Sequence, residues 1–201
     1  MALSTAQETI TKDSTRFRVV IAGRRFGKTF LSIRELAKFA RHPNRKVVYI
    51  APSYRQAKQT IWLDLKSRLG ELGWIKRVNE TELTITLING SLLMLRSADN
   101  YDSMRGLGID FVVFDEFADI LPQTWTEVIR PALSDREGEA MFIGTTKGFG
   151  NWAKNLWDQG QDPSFTDWSS YQYTTLDGGN VRAEEIEAAK QDLAEREFRQ
   201  E

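Results

Sequence analysis

Short, almost continuous apolar runs alternate along this chain with stretches in which apolar residues recur every three or four positions. The continuous runs are typical of strands buried on both faces of a sheet, and the wider spacing is typical of helices with one apolar face. The predicted strands are Phe17 to Ala22, Lys46 to Ala51, Ile109 to Glu116 and Ala140 to Gly144. Strands that alternate with helices predict an α/β fold with a mainly parallel sheet flanked by helices.

The ends of the helices follow from residues that interrupt the pattern. The first long helix carries apolar residues from Phe30 to Ala40 and must end by Pro43, which has no backbone N–H. A second helix begins at Ser53, whose hydroxyl suits an N-cap, and runs to about Leu69. The other predicted elements are an interrupted helix at 121–133, a helix at 151–159, a strand at 169–174 and a charged amphipathic helix at 183–199.

A β-hairpin is predicted after the second helix. The segments 83–87 and 91–95 flank Ile88-Asn89-Gly90, and Asn-Gly is a strong signal for a tight turn. We expect a small β-hairpin insertion in the parallel sheet. Residues 1–15 and 97–107 are polar, and no regular element is predicted for either.

Composition and charge exclude several classes of protein. The 201 residues are 41% hydrophobic and 27% charged, which is ordinary for one soluble globular domain. The formal net charge is −1, so contact with nucleic acid needs a local basic patch or assembly into a ring. The chain has no cysteine and a single histidine, which excludes disulfides, zinc fingers and His-based triads. It has no apolar run of 18 residues and no signal-peptide pattern, so we expect a cytosolic protein without a membrane anchor.

The segment after the first strand has the layout of a phosphate-binding P-loop, namely strand, tight turn, Gly-Lys-Thr and helix. Backbone N–H groups of such a loop converge on a phosphate, and a glycine lets the backbone come close to it. The lysine reaches the β- and γ-phosphates of ATP, and the threonine hydroxyl can ligate Mg²⁺. The usual first glycine is Ala22 here, and Gly23 can take over the turn. The predicted loop residues are Gly23, Arg24, Arg25, Phe26, Gly27, Lys28 and Thr29.

Two adjacent acids, Asp115 and Glu116, end the third buried strand. Ligands of open α/β sheets lie beyond the carboxyl ends of the strands, so these acids are expected beside the P-loop. An apolar strand followed by Asp-Glu is the Walker B form, in which the first acid helps to hold Mg²⁺ and the second polarises the attacking water. Thr145 follows the fourth strand, where its hydroxyl can sense the γ-phosphate. The alternative is that these residues only cap turns and helices.

Phosphoryl transfer also needs positive charge on the transferring group, which an arginine finger supplies. Arg24 lies in the P-loop itself and can fold over the phosphates. Arg105 lies ten residues before Asp115, on a segment that can face a neighbouring subunit. For Arg105 the alternative is an ion pair that orders its own loop.

Four motifs occur in a fixed order: Ala22 to Thr29, Ala51 to Lys58 (APSYRQAK), Met104-Arg105-Gly106 before Phe111 to Glu116, and Gly144-Thr145-Thr146. Together they resemble the ATPase domain of the large terminase subunit of tailed double-stranded DNA bacteriophages. The resemblance implies an ASCE-type P-loop NTPase over residues 1–201 that hydrolyses ATP with Mg²⁺ and drives double-stranded DNA into a procapsid. It also implies a homo-oligomeric ring on the portal protein, a monomer in isolation, the small terminase subunit as a partner, and the cytoplasm of the infected bacterial host.

The same resemblance assigns roles to single residues. Lys28 and Thr29 match the P-loop, Arg24 matches an arginine used near the phosphates, and Thr145 matches the coupling motif. Asp115 and Glu116 match Walker B, and Arg105 matches the arginine that reaches the ATP of the neighbouring subunit. Gln7 resembles a glutamine that reads adenine. Tyr54-Arg55 resembles a segment that approaches DNA in related translocases, and a helix start is the alternative.

Complete large terminases also carry a C-terminal RNase H-like nuclease. We expect these 201 residues to be a shortened chain that contains only the ATPase domain and has no nuclease activity.

Three other functions share part of this pattern. A RecA-like domain of a superfamily 2 helicase also has Asp-Glu and a strand-end threonine, but its finger comes from a second domain for which the chain has no room. A small-molecule kinase needs an arginine-rich lid and an acceptor pocket, and the sequence shows neither clearly. A nucleotide-gated module without catalysis fits least, because Glu116 is present. ATP hydrolysis coupled to DNA translocation is therefore the leading hypothesis.

Overall fold

The computed structural model describes residues 3–145 and 152–179, which form an eight-stranded sheet with helices on both faces. From edge to edge the strand order is β3-β4-β5-β2-β6-β7-β1-β8. The pairings from β5 across to β8 are parallel, and the two pairings of β4 are antiparallel. The predicted α/β fold with a mainly parallel sheet is therefore confirmed. The strands are β1 (Phe17–Ala22), β2 (Lys46–Ala51), β3 (Ile75–Asn79), β4 (Thr84–Leu87), β5 (Leu92–Ser97), β6 (Phe111–Asp115), β7 (Glu139–Gly144) and β8 (Trp168–Tyr173).

The predicted hairpin is confirmed as β4 and β5, and it lies in this sheet beside the edge strand β3. Its second strand, β5, pairs in parallel with β2, with Lys46 opposite Leu92. Its first strand, β4, pairs with β3, which the sequence does not predict. The β3 segment is five residues long and has a register shift between Ile75 and Arg77, so its alternation is too short to indicate a strand.

Helices cover both faces of the sheet, and two of them pass through wider π-helical turns. One such turn, Lys58–Trp62, joins α3 to α4, and another, Thr124–Ile129, leads into α5. Pro131 lies in the first turn of α5, where the preceding π turn lets the helix continue past a residue without an N–H. The polar stretch at 97–107 contains a 3₁₀ helix, Ala98–Met104. The helices are α1 (Thr5–Lys12), α2 (Lys28–Ala40), α3 (Tyr54–Ala57), α4 (Leu63–Glu71), α5 (Arg130–Ser134) and α6 (Trp152–Gln161).

Two hydrophobic clusters fill the two faces of the sheet. Val113 packs in the cluster that includes residues of α1, α2, α3 and α4, and Phe114 packs in the cluster on the opposite face. The second cluster is rich in aromatic rings, and Phe142 lies 5.0 Å from Phe114 and 4.9 Å from Trp125 between ring centroids. Because successive strand residues point to opposite faces, Asp115 points to the face that α2 covers.

The polar N-terminus contains a helix that the sequence analysis does not predict. At the start of α1, Ser4 and Gln7 form a capping box, in which each side chain accepts a hydrogen bond from the backbone N–H of the other. Ile10 anchors the helix and is fully buried. The Ser-x-x-Gln spacing is the available signal, because a helix of eight residues is too short to show a convincing apolar period.

Arg18, the charged residue of β1, is buried in an ion pair. Its Nη1 lies 2.7 Å from Oε2 of Glu35 in α2, and both side chains are 0% exposed. The same nitrogen donates to the carbonyl of Ile10 at 3.1 Å. Glu139 is farther from the guanidinium, at 3.9 Å. The pair therefore fastens β1 and α2, the two elements on either side of the predicted P-loop, and also holds the end of α1.

Two predicted features lie outside the described residues, namely the segment Thr146-Lys147-Gly148 and the helix at 183–199. Across residues 3–145 and 152–179, none of the helices combines the length and apolar character that a membrane span requires.

Candidate active site at the carboxyl edge of the sheet

The loop between β1 and α2 has the backbone of an anion cradle. Gly27 has a φ of 92°, in the left-handed region that favours glycine, and α2 begins at the next residue. Gly27 makes no side-chain cap hydrogen bond to α2, and the first turn of a helix is a favourable place for an anion. Arg25 is also left-handed, with a φ of 61°, which is uncommon for a residue with a side chain and occurs often at functional sites.

Lys28 directs its charge into this loop. Its Nζ donates to the carbonyls of Ala22 at 3.1 Å and Gly23 at 3.0 Å. A phosphate in the loop would compete with these carbonyls for the ammonium group. Burial raises the pKa of Asp115 and the charge of Lys28 offsets a small part of that rise, so the two side chains are within electrostatic reach of each other. Thr29 follows in the first turn of α2.

The carbonyls on the outside of the loop are held by other parts of the chain. Gln7 is buried, and its Nε2 donates to the carbonyl of Phe26 at 2.8 Å while its Oε1 accepts from Ser4. The hydroxyl of Thr175 donates to the carbonyl of Arg24 at 2.6 Å. Gln7 therefore supports the loop with its side-chain amide, and the adenine contact that the resemblance implies for it stays a prediction.

The 3₁₀ turn Leu176–Gly178 lies directly against the loop. A Cβ added at Gly178 would be 2.5 Å from both Cα and O of Phe26. The Phe26 ring stacks on Tyr173 of β8, with 5.5 Å between the ring centroids. The loop is thus enclosed by α1 on one side and by the segment after β8 on another.

Gly178→Ala is expected to weaken binding of the predicted nucleotide by ~10-fold and to lower the free energy of unfolding by about 1–3 kcal/mol. The new methyl group would displace the Phe26 backbone, and with it the N–H groups of the cradle. Titration calorimetry and denaturant unfolding would measure both effects. The control is Gly70→Ala in α4, where the nearest atom to an added Cβ is 4.0 Å away. Unchanged affinity in Gly178→Ala would show that the loop does not depend on this contact.

Asp115 is held by a residue that the sequence analysis does not identify. The hydroxyl of Tyr49, in β2, donates to Oδ2 of Asp115. Burial raises the pKa of Asp115, and the negative charge of Glu116 adds to this rise, while the Tyr49 hydrogen bond and Lys28 oppose it. Burial and the same two acids raise the pKa of Tyr49, so the phenol keeps its proton and stays a donor.

Glu116 has a strained backbone conformation. Its φ of 45° and ψ of 44° are left-handed, which costs roughly 1–2 kcal/mol for a residue other than glycine. The hydroxyl of Thr145 donates to Oε2 of Glu116 at 3.2 Å. A Cβ at Gly144 would lie 3.5 Å from the Glu116 Cα and 3.3 Å from the Phe117 ring, so glycine at the end of β7 allows this close approach.

The register of the sheet brings these residues to one edge. Ile21 of β1 lies opposite Gly144 of β7, and Asp115 of β6 lies opposite Ile143 of β7, so the three strands end at nearly the same level. The loop and the two acids therefore face the same crevice, as expected for an α/β sheet.

The donor groups here suit a magnesium ion that is bound together with phosphates. Thr29 offers a hydroxyl and Asp115 a carboxylate, and Mg²⁺ usually takes one or two such ligands plus phosphate oxygens and water. Among the residues that the structure describes, no group of three or more His, Cys, Asp or Glu side chains could hold a metal alone. The ion would therefore depend on the nucleotide for part of its coordination.

The two candidate arginines are exposed. Arg24 lies at the tip of the loop. The Arg105 side chain is 54% exposed, and its Nε lies 2.7 Å from Asp102 while its Nη2 lies 3.5 Å from Glu127. Arg105 therefore makes ion pairs that order its own loop, as the alternative to a finger predicts. These pairs lie on a surface that a second subunit could reach. Its role as a finger stays a prediction.

Three residues of the site are not found from the sequence: Tyr49, Thr175 and Gly178. In the sequence, Tyr49 is one residue of a mainly apolar strand and belongs to no motif. Thr175 and Gly178 act on backbone atoms about 150 positions away, and no local pattern encodes such a contact.

Comparisons with known proteins identify the family of this chain. Residues 19–201 match a family model described as "Terminase large subunit, T4likevirus-type, N-terminal". The large terminase subunit of Escherichia phage T5 is 33% identical over 189 residues, which are 92% of this chain and 43% of that protein. The corresponding protein of Thermus phage G20c is 30% identical over 73% of this chain and 34% of its own length. The chain thus spans less than half of the curated relatives it matches.

Solved structures share the fold. The large terminase ATPase domain of Thermus phage P74-26 has a TM-score of 0.81 and 25% identity, with 97% of this chain and 90% of that chain covered. The large terminase of another thermophilic bacteriophage, in a structure with ADP, has a TM-score of 0.82 and 14% identity, with 98% of this chain and 52% of that chain covered.

Proposed function

Since this chain belongs to the family of T4likevirus-type terminase large subunits, whose N-terminal model it matches over residues 19–201, we propose that it is the ATP-hydrolysing domain of a DNA-packaging motor. One observation carries the proposal: four candidate side chains lie at the same edge of the sheet, beside the loop between β1 and α2. They are Lys28, Asp115, Glu116 and Thr145. The matched P74-26 domain, which carries the name ATPase, supports ATP as the nucleotide.

In the proposed reaction each side chain has a separate task. Lys28 leaves the loop carbonyls and binds the β- and γ-phosphates. Thr29 and Asp115 would hold Mg²⁺, which when bound neutralises charge on the phosphate oxygens. A carboxylate oxygen of Glu116 takes the proton of the attacking water, and Thr145 fixes that carboxylate by donating to its Oε2. Arg24 or Arg105 would add positive charge as the γ-phosphoryl group is transferred.

The partners follow from the family role and are proposals as well. Double-stranded DNA is the cargo, and the portal protein, the small terminase subunit and further copies of this chain in a ring are the proposed protein partners. The proposed location is the cytoplasm of the infected bacterial host. With a net charge of −1, DNA contact would depend on local basic groups presented by the ring. We propose no nuclease activity for these residues. Family membership does not favour the alternative of a superfamily 2 helicase domain.

We expect turnover per subunit to rise with protein concentration, because a finger supplied by a neighbour acts only in an assembled ring. Phosphate release would be measured over a wide range of subunit concentration, with and without duplex DNA, beside calorimetric titration with ATP. Little turnover is expected from dilute monomer. Failure to take up any adenine nucleotide would overturn the proposed function.

The same assay on mixed variants tests whether Arg105 acts as an arginine finger between subunits. Arg105→Ala subunits keep the general base, Glu116, and lack the candidate arginine finger. Glu116→Gln subunits keep Arg105 and lack the general base. A mixture should recover activity that neither variant has alone if Arg105 acts on its neighbour's nucleotide. Arg41→Ala, an exposed arginine just after α2, is the matched control and should retain activity by itself. No recovery under ring-forming conditions would count against Arg105 acting between subunits.

A further inference from the structure

We propose that Tyr49 is a positioning residue that fixes the carboxylate of Asp115 in the orientation needed to bind a divalent cation beside the nucleotide. This inference rests on the proposed function, because it concerns the same site. It adds a residue that lies outside the four motifs, in the middle of β2.

The sheet register explains how Tyr49 reaches Asp115. Tyr49 of β2 lies opposite Val113 of the neighbouring strand β6, two residues before Asp115. Alternate residues of a strand share a face, so Tyr49, Val113 and Asp115 all point toward α2. A tyrosine is long enough to reach the diagonal neighbour, and its hydroxyl donates to Oδ2 of Asp115.

Burial makes this contact well defined. Tyr49 is 1% exposed, and its ring packs in the hydrophobic cluster between the sheet and the helices. A ring held in this way delivers its hydroxyl to one fixed point at the end of the strand. The phenol thus fixes Oδ2 of Asp115, and the backbone N–H of Glu116 also donates to this carboxylate. A neutral donor also leaves the negative charge of Asp115 intact, whereas a lysine or arginine at this position would cancel it.

The neighbouring acid is held in the same manner from the other side. Strand β6 lies between β2 and β7. Tyr49 of β2 donates to Asp115, and Thr145, which directly follows β7, donates to Glu116 at 3.2 Å. Two adjacent carboxylates repel each other. A separate hydroxyl on each keeps them apart and gives each a single orientation, so that the cation ligand and the base do not exchange positions.

The experiment compares Tyr49→Phe with Tyr171→Phe as a matched control. Tyr171 also donates a phenol proton to an aspartate, Asp13 at 2.7 Å, but in β8 at the edge of the sheet. Affinity for Mn²⁺, measured by electron paramagnetic resonance, would be determined with a saturating non-hydrolysable ATP analogue. Affinity for the same analogue would also be determined without metal, in the presence of EDTA.

Tyr49→Phe should weaken Mn²⁺ binding about tenfold or more, as is usual when the hydrogen-bond partner of a metal ligand is removed. Analogue binding in EDTA should change less than twofold, and Tyr171→Phe should leave both affinities unchanged. In an Asp115→Asn background, Tyr49→Phe should have no further effect on Mn²⁺ affinity, because Tyr49 acts through that carboxylate. If Tyr49→Phe does not fold, Tyr49→Met removes the same hydroxyl and serves in its place.

Equal Mn²⁺ affinity in Tyr49→Phe and wild type would overturn the inference and leave the proposed function intact. An equal loss of analogue affinity in EDTA would also overturn it, because the residue would then act on the whole crevice. A wild-type protein that binds no analogue at all would overturn the proposed function, and this inference with it.

Discussion

Glu116→Gln is expected to reduce the rate of ATP hydrolysis by about 10²–10⁴-fold, the usual contribution of a general base, while ATP binding stays within about twofold of wild type. The amide keeps the size of the side chain and can still accept a hydrogen bond from Thr145, but it cannot take a proton from water. Single-turnover hydrolysis and calorimetric binding would separate the two effects.

The control for this variant is Glu82→Gln, which makes the same chemical change on the exposed connection between β3 and β4. It should hydrolyse ATP at the wild-type rate under the same ring-forming conditions. A Glu116→Gln variant that hydrolyses ATP normally would remove Glu116 from the mechanism. A variant that loses ATP affinity as well would assign Glu116 to nucleotide binding.

Glu35→Gln is expected to lower the free energy of unfolding by about 3 kcal/mol, near the lower end of the range for breaking a buried ion pair. Arg18 would keep its charge in a fully buried position, where its Nε and Nη2 already lack hydrogen-bond partners among the described residues. Glu139, 3.9 Å from Nη2, would compensate for part of the loss. Urea unfolding followed by circular dichroism would measure the change.

Replacing both members of the pair tests this explanation. Arg18→Met combined with Glu35→Leu removes both charges and should restore most of the stability that Glu35→Gln loses. Glu71→Gln breaks the exposed pair with Arg68 and should change stability by less than about 1 kcal/mol. If the double variant loses as much free energy of unfolding as Glu35→Gln, then altered packing is responsible, and not the unpaired charge of Arg18.

The sequence predicts the centre of the sheet well because its strands are buried on both faces. β1 and β2 begin and end at the predicted residues, since an apolar run between polar turns defines both ends. The edges are harder to predict. β3 is short and irregular, and α1 is fixed by one capping box and one buried isoleucine, which a hydrophobic pattern does not detect.

The same division applies to the site. Residues with their own chemistry, such as Lys28 and Asp115, are found because a motif with fixed spacing carries them. Tyr49 and Gly178 act on other residues, and their importance depends on which strands are neighbours. That arrangement becomes visible only once β2 lies beside β6 and the segment after β8 lies against the loop.

The turn at Leu176–Gly178 also marks the place from which the polypeptide continues, through Gly179, toward residue 180 and beyond. Because Gly178 packs directly on the Phe26 backbone, Phe26 cannot move toward this turn without displacing it. If Phe26 shifts when phosphates bind or leave, Gly178 and Gly179 would therefore shift with it. The occupancy of the crevice would in this way change the position of Gly178 and Gly179.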